Sequence, residues 1–377
     1  MSGSTLVTSQ WLNDQLINDR KKKRIQILDC THYTDGTSAK DKFEKLHVKG
    51  AYFFNVVQCV DKTSKISNML PAVGPFNDYV RYFGIAADIH VILYDQSETG
   101  LQTTPRVWFM FKALSHRRVS ILEGGLQKWV KDGFPTSDQL TESQKREYNA
   151  GQWKRRDSMV LNVNEMKEHV KKASEALKQQ GVSNRGSILG ANNSNSSPEI
   201  SKNAINISGD TDGSNKSVYQ PAFQVIDTRS PEEFMGIVES SRGFHTGHIA
   251  GSINIPTDIL VDPETRSARS PGELRRRFLD YGIDVLSDSK LVLLCNTGMG
   301  STKVALALFL AGKLRICLYD GGFEELTKTV DKKLLVVSKP MIEITENGPD
   351  DGDTMNQTET EFDDDTESNQ ASFAVEN

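Results

Sequence analysis

The chain has 377 residues, of which 37% are hydrophobic and 25% charged, and its formal net charge is −5. This length is too great for one hydrophobic core and predicts two domains. There is no run of eighteen apolar residues, so the sequence predicts no membrane span or membrane partner. Four cysteines without a Cys-x-x-Cys spacing argue against a disulfide framework and a zinc site, and they favour a reducing compartment.

The first residues, 1–7, have neither the charged and apolar regions of a signal peptide nor an Arg-rich presequence. We therefore expect a cytoplasmic protein. Mitochondrial import by an unusual signal stays open.

From residue 27 onward the chain repeats itself. Four segments of the first half return in the second half, in the same order and at offsets between 197 and 201 residues. The pairs are Ile27–Thr31 with Val225–Arg229, His47–Ala51 with His248–Ser252, Val91–Asp95 with Leu291–Cys295, and Ile121–Gly125 with Leu318–Gly322. Two copies of one domain are the economical interpretation.

Within each copy, short runs of Val, Ile and Leu alternate with helical patterns. This alternation predicts an α/β fold with a mainly parallel sheet that helices cover on both faces. In such sheets chemistry lies beyond the carboxyl ends of the strands. Cys295 is at such an end, whereas its counterpart in the first copy is Asp95, which has no sulfur. We therefore expect only the second copy to be catalytic.

The predicted organisation has five parts. A non-catalytic domain (5–140) is followed by a connecting segment (141–182), which contains a helix over about 163–180. An Asn/Ser/Gly-rich flexible linker (183–218), the catalytic domain (219–335) and a disordered acidic tail (342–377) follow. The tail has 12 acidic residues and no Lys or Arg, so the rest of the chain carries about +7. This mildly basic body suits small anionic substrates and gives no indication of a nucleic-acid partner.

Cys295 ends an apolar run and opens a short polar stretch, Asn296–Ser301, which two glycines interrupt. A helical pattern follows at once. A strand, a tight loop and a helix N-terminus are the parts of an anion cradle, in which backbone N–H groups and the helix dipole favour a thiolate. A buried structural cysteine is the alternative, but core packing does not require two glycines in five residues.

These features resemble the two-domain rhodanese and mercaptopyruvate sulfurtransferase family, over about 5–180 and 220–330. The motifs that carry the resemblance are Ser9–Leu12, His47–Phe54, Pro105–Phe111, Gly124–Trp129, Asp227–Arg229, Gly247–Pro256 and the Cys295 loop. The resemblance implies a tandem of two rhodanese-like domains with the site in the cleft between them. It also implies sulfur transfer through a persulfide on Cys295, without a metal or an organic cofactor. The acceptor would be cyanide, a small thiol or a dithiol protein such as thioredoxin.

The resemblance further implies which residues bind the donor. Arg229 matches the first of two family arginines that hold a carboxylate, although an ion pair with Asp227 is its alternative role. The loop residues would bind the transferred sulfur and the donor: Asn296, Thr297, Gly298, Met299, Gly300 and Ser301. Thiosulfate-preferring relatives have cations directly after the cysteine. Asn296 and Thr297 stand there in this chain, which favours 3-mercaptopyruvate.

Several positions depart from the family pattern. Glu233 stands at the second arginine, and nearby Arg242 is a possible replacement. Val57 and Asn68 replace the Asp and His of the first-domain relay, and Gly300 replaces a Thr. A thiosulfate sulfurtransferase and a degenerate tandem that acts as a binding module therefore remain alternatives. A cysteine phosphatase is disfavoured, because it needs an Arg where this chain has Ser301.

Overall fold

The computed structural model describes residues 4–18, 24–141, 153–179, 221–238 and 243–337. The predicted linker (183–218), the acidic tail (342–377) and Arg242 lie outside these ranges. Within them, no helix is both long and apolar enough to cross a membrane.

The N-terminal repeat (residues 4–141) has a five-stranded parallel sheet with the order β1-β6-β5-β2-β4. Its strands are β1 (Leu6–Val7), β2 (Ile25–Asp29), β4 (Tyr52–Phe53), β5 (His90–Tyr94) and β6 (Val119–Leu122). A small antiparallel pair, β3 (His47–Val48) and β7 (Thr136–Ser137), lies beside it. All five residues of β5 are buried, as expected for a central strand that is covered on both faces.

The C-terminal repeat (residues 153–337) has the same arrangement. Its parallel sheet has the order β8-β13-β12-β9-β11, so that each strand has its counterpart in the first sheet. The strands are β8 (Val160–Leu161), β9 (Gln224–Asp227), β11 (Ile253–Asn254), β12 (Leu291–Leu294) and β13 (Ile316–Tyr319). Strands β10 (His248–Ile249) and β14 (Leu335–Val336) form the second antiparallel pair. The structure confirms the predicted tandem of two α/β units.

The helices also fall into two equivalent sets. The N-terminal repeat has α1 (Ser9–Ile17), α2 (Ala39–Lys45), α3 (Val73–Arg81), α4 (Thr104–Ala113) and α5 (Gly125–Lys131). The C-terminal repeat has α6 (Val163–Gln179), α7 (Pro231–Met235), α8 (Pro271–Asp280), α9 (Ser301–Ala311) and α10 (Gly322–Thr329). Side chains of Ser38, Ser230 and Ser270 cap three of them by accepting a backbone N–H three residues on.

The connecting segment predicted at 141–182 is part of the second sheet. Its helix α6 occupies nearly the predicted range, and the strand before it, β8, pairs with β13 at the sheet edge. Strand β1 has the same place beside β6 in the first sheet. The second repeat therefore begins before the linker.

One hydrophobic core joins the two repeats. Trp108 and Phe109 on α4 belong to the same buried cluster as Ala305 and Leu308 on α9. These two helices follow the strands β5 and β12, so the loops before them open towards the same region of the molecule.

Candidate active site

Cys295 directly follows β12, at the carboxyl end of the strand. β12 pairs with β9 so that Leu294 is opposite Asp227, which brings the loop after β9 beside the cysteine. The Thr228 N–H donates to the Leu294 carbonyl at 2.9 Å and fixes this neighbourhood. Cys295 is 7% exposed.

The N-terminus of α10 holds the start of the cysteine loop. Phe323 N–H donates to the Cys295 carbonyl at 2.9 Å, and Glu324 N–H donates to the Asn296 carbonyl at 3.0 Å. Gly322 is required at this close approach, because a Cβ there would lie 2.4 Å from the Cys295 oxygen and its φ is +53°. The first two carbonyls of the loop are thus turned towards α10.

The N–H groups of the same loop are unpaired. In the part of the chain that the structure describes, none of the backbone N–H groups from Asn296 to Ser301 donates to a protein acceptor. A Cβ added at Gly300 would lie 3.9 Å from the Cys295 sulfur, so the loop passes close to it. Six unpaired N–H groups in a loop that passes the sulfur and leads into α9 are the features that an anion site requires.

The equivalent loop of the N-terminal repeat has an internal acceptor for its N–H groups. Its equivalent residue, Asp95, is buried and places its own carboxylate in the loop. Oδ2 accepts N–H groups of Thr103 (2.8 Å) and Thr104 (3.3 Å), and Oδ1 accepts the N–H of Ser97 (3.0 Å). The carboxyl group of Asp95 therefore accepts loop N–H groups of the first repeat, whereas the described residues include no such acceptor for the loop after Cys295.

The other three cysteines are poor nucleophiles. All four cysteines are free thiols. Burial raises the pKa of Cys59 to about 12 and that of Cys317 to about 11, and it raises the pKa of Cys30 well above its usual value. Cys295 alone adjoins the loop of free donors. Among the described residues no cluster of His, Cys, Asp and Glu could hold a metal ion.

Arg229 lies in the ion pair that was the alternative to donor binding. Its Nη2 donates to Asp227 Oδ2 at 2.7 Å and to the Gly247 carbonyl at 2.6 Å, and its Nε donates to Asp227 at 3.1 Å. The guanidinium carbon stands 3.3 Å from the centre of the Phe323 ring. In this geometry the Arg229 guanidinium packs on Phe323, whose N–H binds the Cys295 carbonyl. Two of its three nitrogens are bonded within the protein, so the guanidinium is not arranged to bind a donor carboxylate with two hydrogen bonds.

Glu233 contacts the residue after the cysteine. The Asn296 Nδ2 donates to Glu233 Oε1 at 2.8 Å. The predicted charge reversal therefore places a carboxylate at the loop itself. Asn296 Oδ1 is buried and has no hydrogen-bond donor among the described residues. The site thus combines unpaired loop N–H groups with the carboxyl group of Glu233.

The N-terminal repeat clamps the loop through Arg106 on α4. This side chain is 2% exposed, and its Nη1 donates to Asp320 Oδ1 at 2.6 Å and to the Gly298 carbonyl at 3.1 Å. Its Nη2 donates to the carbonyl of Asn68. Asp320, directly after β13, also accepts the Leu70 N–H at 2.5 Å. One buried guanidinium therefore links the N-terminal repeat to the middle of the cysteine loop.

Val57 and Asn68 are the two residues that depart from the expected first-domain relay. Val57 is 41% exposed, and Asn68 has a left-handed backbone with φ +58°. Neither position carries a titratable side chain.

The remaining predicted loop residues have contacts of several kinds. Thr297 is buried, and its hydroxyl has no hydrogen bond to a described residue. Gly298 is left-handed (φ +75°), and a Cβ there would lie 2.5 Å from the Asp320 carbonyl. Met299 packs against the core, and the hydroxyl of Ser301, the first residue of α9, reaches the Gly298 carbonyl at 3.4 Å.

Sequence reasoning missed Arg106 and Asp320 as parts of the site. Arg106 was visible as a lone charge inside an apolar motif, Pro105–Phe111, and Asp320 followed an apolar run. A charge within a core pattern indicates a buried partner. The partner itself is 214 residues away, and only the fold brings the two together.

Comparisons with known proteins identify similar sequences over most of the chain. The family model of the Rhodanese-like domain matches the chain twice, at 12–132 and 212–329. The 3-mercaptopyruvate sulfurtransferase of Homo sapiens is 32% identical over 324 residues, which cover 85% of this chain and 91% of that protein. The thiosulfate sulfurtransferase of Gallus gallus is 29% identical over 86% of this chain and 93% of its own length.

Solved structures show the same fold. SseA from Escherichia coli matches 85% of this chain and 99% of its own, with a TM-score of 0.61 and 24% identity. The sulfur transferase subunit of yeast mitochondrial complex I matches 89% of this chain and all of its own, with a TM-score of 0.68 and 21% identity.

Proposed function

Because the chain belongs to the rhodanese-like family, we propose that it is a sulfurtransferase that takes a sulfur atom from 3-mercaptopyruvate onto Cys295. The sulfur then passes to a thiol or to cyanide. The observation that supports this most is the open loop of six N–H groups beside Cys295, where the other repeat holds a carboxylate.

In the first half-reaction the Cys295 thiolate attacks the sulfur of the donor. An S–S bond forms, the donor's C–S bond breaks, and its electron pair stays on carbon as the enolate of pyruvate. The enolate takes up a proton, from solvent or the transferred SH group, since Val57 and Asn68 offer none. The product on the enzyme is Cys–S–S⁻, a terminal anion that N–H donors stabilise.

In the second half-reaction an acceptor thiolate attacks the terminal sulfur. The S–S bond to Cys295 breaks, the Cys295 thiolate is restored, and the acceptor leaves as a persulfide. Cyanide would leave as thiocyanate. The reaction is a covalent, two-step transfer. A small thiol or a dithiol protein such as thioredoxin is the proposed acceptor in the cell.

Two features favour 3-mercaptopyruvate over thiosulfate. No Arg or Lys follows the cysteine, and Glu233 contacts Asn296 directly. A dianion such as thiosulfate is repelled by that carboxylate more strongly than a donor with a single carboxylate.

The same charges also favour a second candidate, a tandem that binds a small anion or a partner without turnover. Arg229 is held by Asp227, and Glu233 opposes negative donors. The two candidates differ in one observable, since only the enzyme accumulates sulfur on Cys295.

Steady-state sulfide release, with a dithiol as acceptor, tests the proposal. We expect turnover with 3-mercaptopyruvate, at least about tenfold weaker turnover with thiosulfate, and none in Cys295→Ser. Cys317→Ser is the matched control and should retain activity, because that thiol is buried elsewhere. Turnover that survives in Cys295→Ser contradicts the mechanism. A folded protein without turnover on either donor supports the binding module.

A further inference from the structure

A second cleft lies between the two repeats, away from Cys295. It has a volume of about 480 Å³, and the residues that form it come from both repeats. Lys290 and Arg315, which line it, stand just before β12 and β13, whereas Cys295 follows β12. Five residues of extended chain span about 16 Å, so the cleft and the cysteine are at opposite edges of the sheet.

Four cations line this cleft, and no acidic residue does: Lys112, Arg156, Lys290 and Arg315. A cleft of one sign of charge with partly apolar walls attracts ligands of the opposite sign. Within the described residues, the Arg156 side chain has no ion pair or hydrogen bond.

The other three cations have weak or local partners. Lys112 Nζ donates to the Arg117 carbonyl at 3.0 Å, and Lys290 Nζ is 5.4 Å from the centre of a phenylalanine ring. Arg315 pairs at 3.1 Å with Asp288, a side chain that is 91% exposed. Such an exposed pair is weak and leaves the arginine able to bind an anion.

Burial and the neighbouring Arg156 lower the pKa of Lys112. The ammonium group is therefore in an environment that disfavours its own charge. An anion bound between Lys112 and Arg156 would offset the repulsion between these two positive charges.

The cleft also presents an aromatic ring. Phe309 is 37% exposed, and it forms a T-shaped pair with Trp108 in which the ring centres are 5.1 Å apart. Lys112 Nζ lies 5.7 Å from the centre of the Phe309 ring. The indole N–H of Trp108 is buried and has no acceptor among the described residues. A flat ligand ring that stacks on Phe309 would therefore lie next to Lys112. The unpaired indole N–H of Trp108 is in the lining of the same cleft.

We propose that this cleft binds a nucleoside phosphate, whose base stacks on Phe309 and whose phosphates contact Lys112 and Arg156. The volume suits a ligand of this size, since small-molecule sites occupy about 300–1,000 Å³. Arginine and lysine both bind phosphate, and the flat base would pack on the apolar side of the cleft. This site is independent of the sulfur transfer proposed for Cys295.

Calorimetric titration of the full chain with ADP tests the proposal, with adenosine and inorganic phosphate as separate probes. We expect one ADP per chain and at least tenfold weaker binding of either part alone. Arg156→Gln and Phe309→Leu should each weaken ADP binding at least tenfold. Arg276→Gln, on the exposed side of α8 and outside the cleft, is the matched control and should leave it unchanged.

Each variant's fold is checked by its thermal unfolding without ligand, and Lys112→Gln repeats the test if Arg156→Gln does not fold. No ADP binding, or ADP binding that both cation variants leave unchanged, overturns the proposal. Phosphate that binds as tightly as ADP also overturns it, because it shows an anion site without recognition of the base.

Discussion

Arg106 and Asp320 form a buried ion pair, with Nη1 and Oδ1 2.6 Å apart and both side chains less than 3% exposed. The pair joins α4 of the N-terminal repeat to the residue after β13 of the C-terminal repeat. Because Arg106 also binds the Gly298 carbonyl, the position of the cysteine loop depends on the contact between the repeats.

Arg106→Ala should lower the free energy of unfolding by about 3–5 kcal/mol, because Asp320 would remain as a buried, unpaired charge. Urea unfolding measures this change. Lys40→Ala is the control, since its pair with Glu44 is exposed and 3.5 Å long, and it should cost less than about 1 kcal/mol. Equal effects of the two variants would show that the buried pair does not hold the repeats together.

The two loop glycines should respond differently to alanine. Gly298→Ala should destabilise the protein by at least about 1–2 kcal/mol, since its backbone is left-handed and its Cβ would overlap Asp320. Gly300→Ala should leave stability within about 0.5 kcal/mol, because its Cβ would have ordinary contacts of 3.5 Å or more. Thermal unfolding of both variants checks this difference. A stable Gly298→Ala protein would mean that the loop has another conformation.

Glu233→Gln should raise kcat/KM for 3-mercaptopyruvate by about tenfold. A charge about 10 Å from an anionic donor costs about 1.5 kcal/mol at an effective dielectric constant of 20. The amide oxygen of Gln can still accept the bond from Asn296. Glu232→Gln is the matched control, because this exposed neighbour has no contact with the loop in the described structure, and its kcat/KM should not change. An equal rise in both variants would point to overall charge instead of the site.

Acid should destabilise the fold partly through His116. Burial lowers the pKa of this histidine from 6.5 to about 4, and the ring stacks on Trp153. The unfolded chain binds the proton first, so the contribution of His116 is complete above pH 6.5 and is lost as the pH falls towards 4. This contribution of His116 to the free energy of unfolding is about 3 kcal/mol.

His116→Gln should therefore flatten the dependence of the unfolding free energy on pH between 6.5 and 4. Urea unfolding at several pH values measures the slope. A variant with the slope of the original protein would show that His116 is not the group that titrates.

The repeat made the fold predictable from the sequence. Matching segments at nearly constant offsets placed Cys295 and Asp95 at equivalent strand ends, and the two sheets have equivalent strand orders. The free loop donors followed from the glycines after Cys295. These conclusions needed only local patterns and the geometry of parallel sheets.

The orientation of individual charges was beyond the sequence. Arg229 matched a family position, yet Asp227 two residues before it is close enough to hold its side chain. Glu233 was recognised as a charge reversal, but its bond to Asn296 depends on how α7 meets the cysteine loop. The Arg106–Asp320 pair connects two repeats, and no periodicity within one repeat specifies it.

The intact mass of the protein after reaction with 3-mercaptopyruvate, followed by peptide mapping, tests the central claim most directly. We predict a gain of one sulfur atom, located on Cys295 and removed by a dithiol. Sulfur on another cysteine, or a folded protein that gains none, would contradict it.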